Sequence, residues 1–315
     1  MGRFIAVCVS PAIDRNYVLD SLSPGTLHRA PNPSITAGGK GVNVARVLAL
    51  LGEKPILLGF AAGESGRFLL RELQKVGVRT HLTGISGETR FTLNLLDRST
   101  GHETEITESG PTVGAESLQQ FLFHFEDTVE SGDLVVLSGG VPEGVPVDLY
   151  AQLIRIIHGK GARCVLDTGA GPLHAALPEK PDLVKPNVKE LSTLCGRPLH
   201  LKREIIEAVR NLGIERAVVS MGDKGALLVT PEAAWHASAL PVSVLSTIGS
   251  GDALTAGLAL GMHRKMPWKK ALAFATACAA SNASRVEVGT VDSAEVEAWT
   301  ALVKVRKVPS RKSKR

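Results

Sequence analysis

Short apolar runs alternate with amphipathic segments along most of the chain. Residues 4–9 are all apolar, which is typical of a buried strand, and residues 42–51 repeat their apolar positions at helical spacing before a glycine ends the pattern. The same succession continues from residue 134 to residue 221, and helical patterns near 267–283 and 293–303 follow. This alternation is typical of an α/β fold, so we expect a three-layer αβα sandwich whose mostly parallel sheet has helices on both faces.

Two regions depart from that succession. Residues 79–107 have a β pattern, in which 90–96 and 102–107 flank a turn at 99–101, and residues 15–36 are polar and irregular. We expect these regions to form a small sheet that stands off the main body. Residues 241–245 are extended and apolar, and they predict a strand that leads into a helix near residue 250.

The turn before that helix has the composition of an anion site. Residues 246–252 read Ser-Thr-Ile-Gly-Ser-Gly-Asp, so the amides of Gly249, Ser250 and Gly251 lie at a helix N-terminus, where the helix dipole favours negative charge. Asp252 adds a carboxylate in the first helical turn. This pairing suits phosphoryl transfer to a hydroxyl, with the carboxylate as base and the amides as charge stabilisers. The structural alternative is that glycine only makes the turn and aspartate only favours the first turn of a helix.

The turn belongs to neither of the two commonest phosphate-binding motifs. It lacks the Gly-Lys-Ser/Thr ending of a P-loop, and Leu254 occupies the third glycine position of the dinucleotide fingerprint. If the turn binds phosphate, it does so in another nucleotide-binding architecture.

Polar residues follow most of the predicted strands. Ligands of open α/β sheets bind outside the carboxyl ends of the strands, so we expect these positions to converge. They are Asp14, residues 138–140, residues 167–169, residues 185–187, residues 220–222 and residues 249–252.

Four further motifs each have a functional and a structural interpretation. Residues 37–43 are a second glycine-rich turn, whose Lys40 and Asn43 face either a polar ligand or solvent. Asn187 and Glu190 have the spacing of a capping box, and the same oxygens suit a hydrated Mg²⁺. The loop at 220–225 either lines a nucleotide or is only a turn, and Arg90 is either an anion ligand or a solvated side chain.

Composition narrows the function classes. The net charge of +5 comes from the last twelve residues, which carry seven lysines and arginines, so the rest of the chain has a net charge of −2. A terminal basic run is typically a disordered end, and no basic stripe of a nucleic-acid-binding protein precedes it.

The four cysteines form no Cys-x-x-Cys pair and the histidines are dispersed, so the sequence suggests no zinc site, disulfide framework or catalytic triad. No secretory signal pattern or bilayer-length apolar run is present, and we expect a cytoplasmic protein.

At this point the motifs resemble those of the PfkB (ribokinase-like) carbohydrate kinases over residues 4–303. The signatures are Gly-Gly-Lys-Gly-Val-Asn at 38–43 and Ser-Thr-Ile-Gly-Ser-Gly-Asp at 246–252, with the 138–142, 185–191 and 220–226 motifs between them. Residues 10–14, 88–90, 104–106 and 109–112 are similar to the phosphosugar branch, which contains 1-phosphofructokinases, tagatose-6-phosphate kinases and the minor 6-phosphofructokinase. The resemblance implies an ATP- and Mg²⁺-dependent kinase that converts a ketohexose phosphate to the bisphosphate.

The resemblance also implies residue roles. Asp252 is the base, and Gly249, Ser250 and Gly251 form the anion hole. The substrate contacts are Asp14, Gly39, Lys40, Asn43, Arg90 and Ser138, the ATP contacts are Lys185, Ser220, Gly222, Gly225 and Asn282, and the Mg²⁺ residues are Asn187 and Glu190. The small sheet, from about 12–36 and 88–108, is the lid over the sugar and pairs subunits in a homodimer. We place the kinase domain at 1–303 and a basic, disordered tail at 304–315.

Some positions differ from the family pattern. Thr92 and Asn94 stand where 1-phosphofructokinases tend to carry asparagine and lysine, and residues 25–29 lack the paired basic residues of some fructose-6-phosphate users. Residues 104–112 are more similar to tagatose-6-phosphate kinases. The resemblance implies a substrate of the fructose 1-phosphate or tagatose 6-phosphate class, and these departures leave the position of its phosphate open. The alternatives are fructose 6-phosphate, an unphosphorylated sugar or nucleoside, and a non-catalytic nucleotide- or sugar-binding regulator.

Overall fold

A computed structural model describes residues 2–309, which form fourteen strands and ten α-helices. The strands are β1 Phe4–Cys8, β2 Ala12–Leu19, β3 Ser34–Gly38, β4 Ile56–Ala62, β5 Arg79–Ile85, β6 Phe91–Asp97, β7 Glu103–Thr107, β8 Leu134–Ser138, β9 Arg163–Asp167, β10 Leu183–Val184, β11 Ala217–Ser220, β12 Ala226–Val229, β13 Ala234–Ala237 and β14 Val305–Val308. The helices are α1 Lys40–Leu50, α2 Gly63–Lys75, α3 Ala115–Thr128, α4 Leu149–Gly159, α5 Ala170–Ala176, α6 Val188–Leu194, α7 Lys202–Asn211, α8 Ser250–His263, α9 Trp268–Ala283 and α10 Ser293–Thr300.

Ten strands form one large sheet in the order β14-β13-β12-β11-β10-β9-β8-β1-β4-β5. The strands from β11 to β5 are parallel, and β12, β13 and β14 add an antiparallel edge. Strand β1 lies between β4 and β8, so the chain runs outward to β5 on one side before it returns to the other. Ligands of such sheets bind at this point of reversal, beyond the carboxyl ends of the strands.

Side chains of the central strands enter two different cores. In β1, Ile5 and Val7 pack into the cluster that includes α3 and α4, whereas Ala6 and Cys8 pack into a cluster with α1 and α2. Because successive side chains of a strand point to opposite faces, a strand with only apolar residues needs helices on both sides. The predicted three-layer α/β sandwich is confirmed.

Helix α8 is buried on all sides, and small residues let it lie close to α9. A Cβ atom on Gly257 would come within 2.6 Å of the Ala275 Cα, and one on Gly261 within 2.7 Å of the Ala271 Cβ. This packing fixes the N-terminus of α8 beneath the carboxyl ends of the central strands.

The remaining strands form a separate four-stranded sheet in the order β3-β2-β6-β7, which we call the lid. In the lid, Asp14 is in register with Thr92, and Thr92 with Thr107. The prediction of a small second sheet is confirmed. The assignment of residues 79–85 to the β-rich lid region was wrong, because β5 pairs with β4 at the edge of the large sheet.

Two other predictions are corrected. Residues 241–245 form no strand, and their only backbone bond to a neighbouring element in the described chain is from the Leu245 amide to the Ala283 carbonyl. The disordered tail was predicted to begin at Lys304, but β14 pairs with β13 at 305–308. Val305 and Val308, three residues apart on the strand, point to opposite faces of the sheet and pack against different core clusters, so a basic segment can still form a strand. Residues 310–315 lie outside the described residues. No helix within residues 2–309 has the length and apolarity to span a membrane.

Candidate active site

The loop that enters α8 leaves a set of backbone amides without acceptors. Gly249 begins the helix in the left-handed region, with φ of 78°, and a Cβ atom there would lie 2.7 Å from the Val288 side chain. Within residues 2–309, no oxygen accepts a hydrogen bond from the amides of Gly249, Gly251 or Asp252. The Ser250 amide, in contrast, donates to the Thr247 carbonyl. The amides of Gly249, Gly251 and Asp252 are therefore free to bind an anion, whereas the Ser250 amide is already bonded.

Asp252 lies directly inside this helix N-terminus and is almost fully buried. Asn43, from α1, donates a hydrogen bond of 2.8 Å to one carboxylate oxygen. Burial raises the pKa of Asp252 to about 7, and the negative charge of Asp167 adds to the rise, while Lys40 opposes it. A carboxyl group with a pKa near neutrality can accept a proton from a hydroxyl and later release it.

Asp167, at the end of β9, organises the positive charges of the site. It is 1% exposed, one oxygen lies 3.3 Å from the Lys185 Nζ, and the other lies 3.8 Å from the Lys40 Nζ. Thr255 of α8 also donates a hydrogen bond of 2.8 Å to it. Asp167 raises the pKa of Lys40, with smaller contributions from Asp252 and Glu190, although burial opposes the rise. Asp167 thus holds both lysine side chains at the wall of the cavity.

Asn187 and Glu190 form the capping box of α6. Asn187 Oδ1 accepts from the Glu190 amide at 2.8 Å, and Glu190 Oε2 accepts from the Asn187 amide at 2.8 Å. The structural interpretation of this motif is therefore correct. The other oxygen of Glu190 lies 3.8 Å from the Lys40 Nζ, so the carboxylate is next to a side chain that lines the cavity.

A hydrated divalent cation fits the oxygens that remain. Asp167 Oδ1 is buried and has no hydrogen-bond partner, and Glu190 Oε1 takes no part in the capping box. Mg²⁺ uses few protein carboxylates and keeps several waters, so one or two such oxygens are sufficient.

Arg90 supplies a second cationic region on the lid side. Its hydrogen-bond acceptors within residues 2–309 are the hydroxyls of Thr92 and Thr107 and the Ser10 carbonyl, none of which is charged. Its buried Nε has no partner. Within residues 2–309 no carboxylate forms an ion pair with the guanidinium, so its charge can attract an anion in the cavity.

Asp14, the third residue of β2, lines the same cavity from the lid. Burial raises its pKa to about 6, while the charges of Arg46 and Arg90 lower it. Gly38 makes room for it, because a Cβ atom there would lie 2.2 Å from the Asp14 carboxyl carbon. Asp14 is thus held close to the backbone at the cavity wall.

One cavity of about 510 Å³ brings these groups together, and this volume suits a small polar ligand with a nucleotide. Its lining includes these residues from the sequence analysis: Asp14, Gly39, Lys40, Asn43, Arg90, Lys185, Asn187, Ser220, Gly249, Gly251 and Asp252.

Comparison with known proteins assigns the family. The model of the pfkB family carbohydrate kinases matches residues 5–294. The chain belongs to the pfkB family of carbohydrate kinases. Kinases of this family use ATP as the phosphate donor.

Solved structures agree with this assignment. Phosphofructokinase-2 from Escherichia coli, crystallised with substrates and products, is 27% identical with a TM-score of 0.89, and the match covers 96% of this chain and 99% of that one. A tetrameric inhibited form of the same enzyme has a TM-score of 0.87 at the same identity and coverage. A possible 1-phosphofructokinase from Thermotoga maritima is 24% identical with a TM-score of 0.89 and coverage of 98% and 100%, which supports the fold.

Several residues that the kinase motifs nominate do not line the cavity. Ser138 is fully buried. Asn282 braces residues 246–249 before α8, which we call the anion loop, by donating to the Ile248 carbonyl and accepting from the Gly289 amide. Gly225 lets the backbone approach β13, because a Cβ atom there would lie 2.0 Å from the Ala237 oxygen. The others that the cavity lining omits are Gly222, Ser250 and Glu190.

Several residues that line the kinase cavity received no role from the sequence. Asp167 was visible as a polar residue at a strand end but was not selected. Glu105 of the lid and Thr247 of the anion loop also line the cavity. The Thr247 amide and hydroxyl both donate to Glu103 of β7, at 3.0 and 2.5 Å, which ties the lid to the anion loop. No local pattern predicts that tie.

Proposed function

We propose that this kinase transfers the γ-phosphoryl group of ATP to a hydroxyl of a ketohexose phosphate and so forms the bisphosphate. The observation that carries the proposal is the meeting, in one cavity, of a near-neutral carboxyl group, free amides at a helix N-terminus and an uncompensated arginine. The first two suit phosphoryl transfer, and the third suits an acceptor that already has a phosphate.

Asp252 acts as the general base. Its carboxylate takes the hydroxyl proton as the sugar oxygen forms a bond to phosphorus and the bond between phosphorus and the ADP oxygen breaks. Asn43 orients the carboxylate through its hydrogen bond. The amides of Gly249 and Gly251 donate to the oxygens of the group in flight, and Lys40 and Lys185 add positive charge.

Asp167 and Glu190, with Asn187 next to them, would hold Mg²⁺ through its waters. The ion would neutralise phosphate charge. Ser220 lies beside Lys185 in the same wall and would contact the nucleotide.

Arg90 is the basis for a phosphorylated acceptor. The proposed substrates are fructose 1-phosphate and tagatose 6-phosphate. Fructose 6-phosphate is the second candidate, because the Escherichia coli neighbour has been crystallised with it. The Asp14 carboxylate would accept hydrogen bonds from the sugar hydroxyls, and the Asn43 amide group would donate one to them.

A coupled ADP-release assay tests the proposal. It compares fructose 1-phosphate, fructose 6-phosphate, tagatose 6-phosphate, the free sugars and a nucleoside, with wild-type protein and Arg90→Ala. We expect a sugar phosphate to have the highest kcat/KM, and the variant to raise its KM at least about 10-fold, since a charge-assisted contact contributes about 1.5–3 kcal/mol. An unchanged KM in the variant, or a free sugar as the best substrate, contradicts the phosphosugar proposal. If no acceptor is phosphorylated and the protein shows salt-sensitive DNA binding, the result favours the alternative of a non-catalytic regulator whose basic tail reaches nucleic acid.

We also propose that the kinase forms a homodimer through the lid. The lid face opposite Asp14 has a cross-strand row of Ile35, Arg15, Leu93 and Ile106, and Ile35 and Ile106 are 45% and 51% exposed. An exposed apolar row on a sheet is typical of an interface. Sedimentation velocity checks this, and a monomer at micromolar concentration contradicts it.

A further inference from the structure

Three side chains with metal-binding atoms converge at the amino-terminal ends of β9 and β10, whereas the cavity lies at the carboxyl ends of the strands. His158 is in the last turn of α4, Cys164 is the second residue of β9, and Asp182 immediately precedes β10. One ligand atom from each lies within 4.8 Å of the other two. Asp167 ends the same strand in the active site, about 10 Å away at the rise of a β-strand. The cluster is therefore separate from the proposed Mg²⁺ residues.

The distances are close to those of a tetrahedral metal site. The His158 Nε2 lies 3.3 Å from Asp182 Oδ2 and 3.9 Å from the Cys164 Sγ. Zinc bonds of about 2.0–2.3 Å place nitrogen, oxygen and sulfur ligands about 3.3–3.7 Å apart. The separation of His158 from Cys164 exceeds this range slightly, and all three ligand atoms lie within 4.8 Å of one another. His158 is on the surface, where its ring can move by the difference.

The carboxylate of the cluster is not neutralised by a lysine or arginine ion pair in the part of the chain that the structure describes. Asp182 accepts a hydrogen bond of 2.8 Å from the Cys164 amide, and no lysine or arginine within residues 2–309 forms an ion pair with it. Cys164 is buried, whereas the side chains of His158 and Asp182 are 37% and 27% exposed. The ligand atoms thus lie between a buried sulfur and solvent, which leaves one side open to a water molecule.

The chemistry of the donors selects the metal. A thiolate with an imidazole favours zinc and similar transition-metal ions, whereas Mg²⁺ and Ca²⁺ prefer sites of oxygen atoms alone. The Mg²⁺ of a kinase reaction therefore does not compete for this cluster.

We propose that His158, Cys164 and Asp182 bind one Zn²⁺ ion, with water as the fourth ligand. On binding, the sulfur of Cys164 releases its proton to solvent and forms a bond to the metal, and the neutral His158 ring donates a nitrogen lone pair. The ion fastens the end of α4 to β9 and to the segment before β10, and so stabilises the fold without taking part in phosphoryl transfer.

Metal titration of the full chain tests the site. Chelator-treated protein receives Co²⁺ and then Zn²⁺ in a buffer without thiol reductants. We expect one equivalent of Co²⁺ to produce cobalt–thiolate charge-transfer absorption, Zn²⁺ to abolish it, and the Tm to rise by a few degrees, because the ion binds the folded state alone. A titration without thiolate absorption overturns the proposal.

Matched variants locate the ion. His158→Gln changes a surface side chain, so it should fold normally and lose at least about 100-fold in affinity, since even supporting residues of metal sites contribute 10–100-fold. Cys164→Ser should lose the absorption. Cys195→Ser removes the half-buried cysteine at the end of α6 and should bind as the wild type does. Absorption that persists in His158→Gln at wild-type affinity, or that disappears in Cys195→Ser alone, shows that the ion binds elsewhere.

Discussion

At the scale of single residues, the acidity of Asp252 is set by what surrounds it. Burial raises the pKa of the carboxyl group because it disfavours the charged form, and the negative charge of Asp167 raises the pKa further. Lys40, Lys185 and the Asn43 amide act in the opposite direction. The balance leaves a base whose pKa lies close to the pH at which it works, which favours proton transfer in both directions.

The first prediction concerns the base itself. Asp252→Asn should lower kcat by about 10²–10⁴-fold, because a general base contributes on that order. ATP affinity, measured by calorimetry, should stay within a few-fold, since the amides of the anion hole remain. Asp127→Asn, on the exposed side of α3, is the control and should behave as wild type. A folded Asp252→Asn protein with the wild-type kcat would remove Asp252 from the mechanism.

The second prediction concerns pH. Only the carboxylate form of Asp252 accepts a proton, so kcat/KM should rise with pH through about 7. Asp167→Asn removes a neighbouring negative charge and frees two lysines, and both changes favour the carboxylate. The rising limb should therefore move to lower pH, even if the maximal rate is reduced. If the rising part of the pH profile stays in place or moves to higher pH in Asp167→Asn, Asp252 is not the group that titrates.

At the scale of elements, the site depends on how α8 and the lid are held. Gly257 and Gly261 bring α8 against α9, and Asn282 of α9 braces the loop before α8. From the other side, Glu103 of β7 binds the amide and hydroxyl of Thr247 in that loop. The anion hole is thus connected to the element that carries Asp14 and Arg90.

The third prediction tests that connection. Glu103→Ala should lower kcat/KM for the sugar substrate about 10-fold, because hydrogen bonds to a charged group contribute about 1.5–3 kcal/mol to the closed arrangement. Steady-state kinetics with each substrate varied in turn measure the effect. Glu126→Ala, exposed on α3 and without a hydrogen bond or ion pair in the described chain, is the matched control. Equal kcat/KM in both variants would mean that the contact between Glu103 and Thr247 does not affect catalysis.

At the scale of the whole molecule, the C-terminal strand completes the sheet. Strand β14 pairs with β13 over four residues and covers an edge that would otherwise expose unpaired amides and carbonyls. The segment is basic, but its ladder uses the backbone, and charge does not prevent that pairing at an exposed edge.

The fourth prediction follows from this pairing. Deletion of residues 304–315 should reduce the free energy of unfolding by about 2–6 kcal/mol, because four antiparallel residue pairs exchange about four hydrogen bonds of about 0.5–1.5 kcal/mol each, and it should increase aggregation. Deletion of 310–315 alone should have little effect on stability. Urea denaturation of both truncated proteins provides the measurement, and equal midpoints would mean that β14 adds no stability.

The sequence by itself determined the features that depend on local order along the chain. Alternating strand and helix patterns predict the α/β sandwich, the glycine-rich turn before residue 252 predicts the free amides, and the spacing of Asn187 and Glu190 predicts a capping box. Each feature arises from residues a few positions apart, so hydrogen bonding and periodicity within one segment are sufficient.

Only the tertiary structure decided which distant segments meet. It pairs Asp167 with two lysines, joins Glu103 to Thr247 across 144 residues, adds β14 to the sheet, and collects a dispersed histidine, cysteine and aspartate at one edge. These contacts follow from strand order and helix packing, which depend on the burial of the whole core and leave no pattern in any single stretch of sequence.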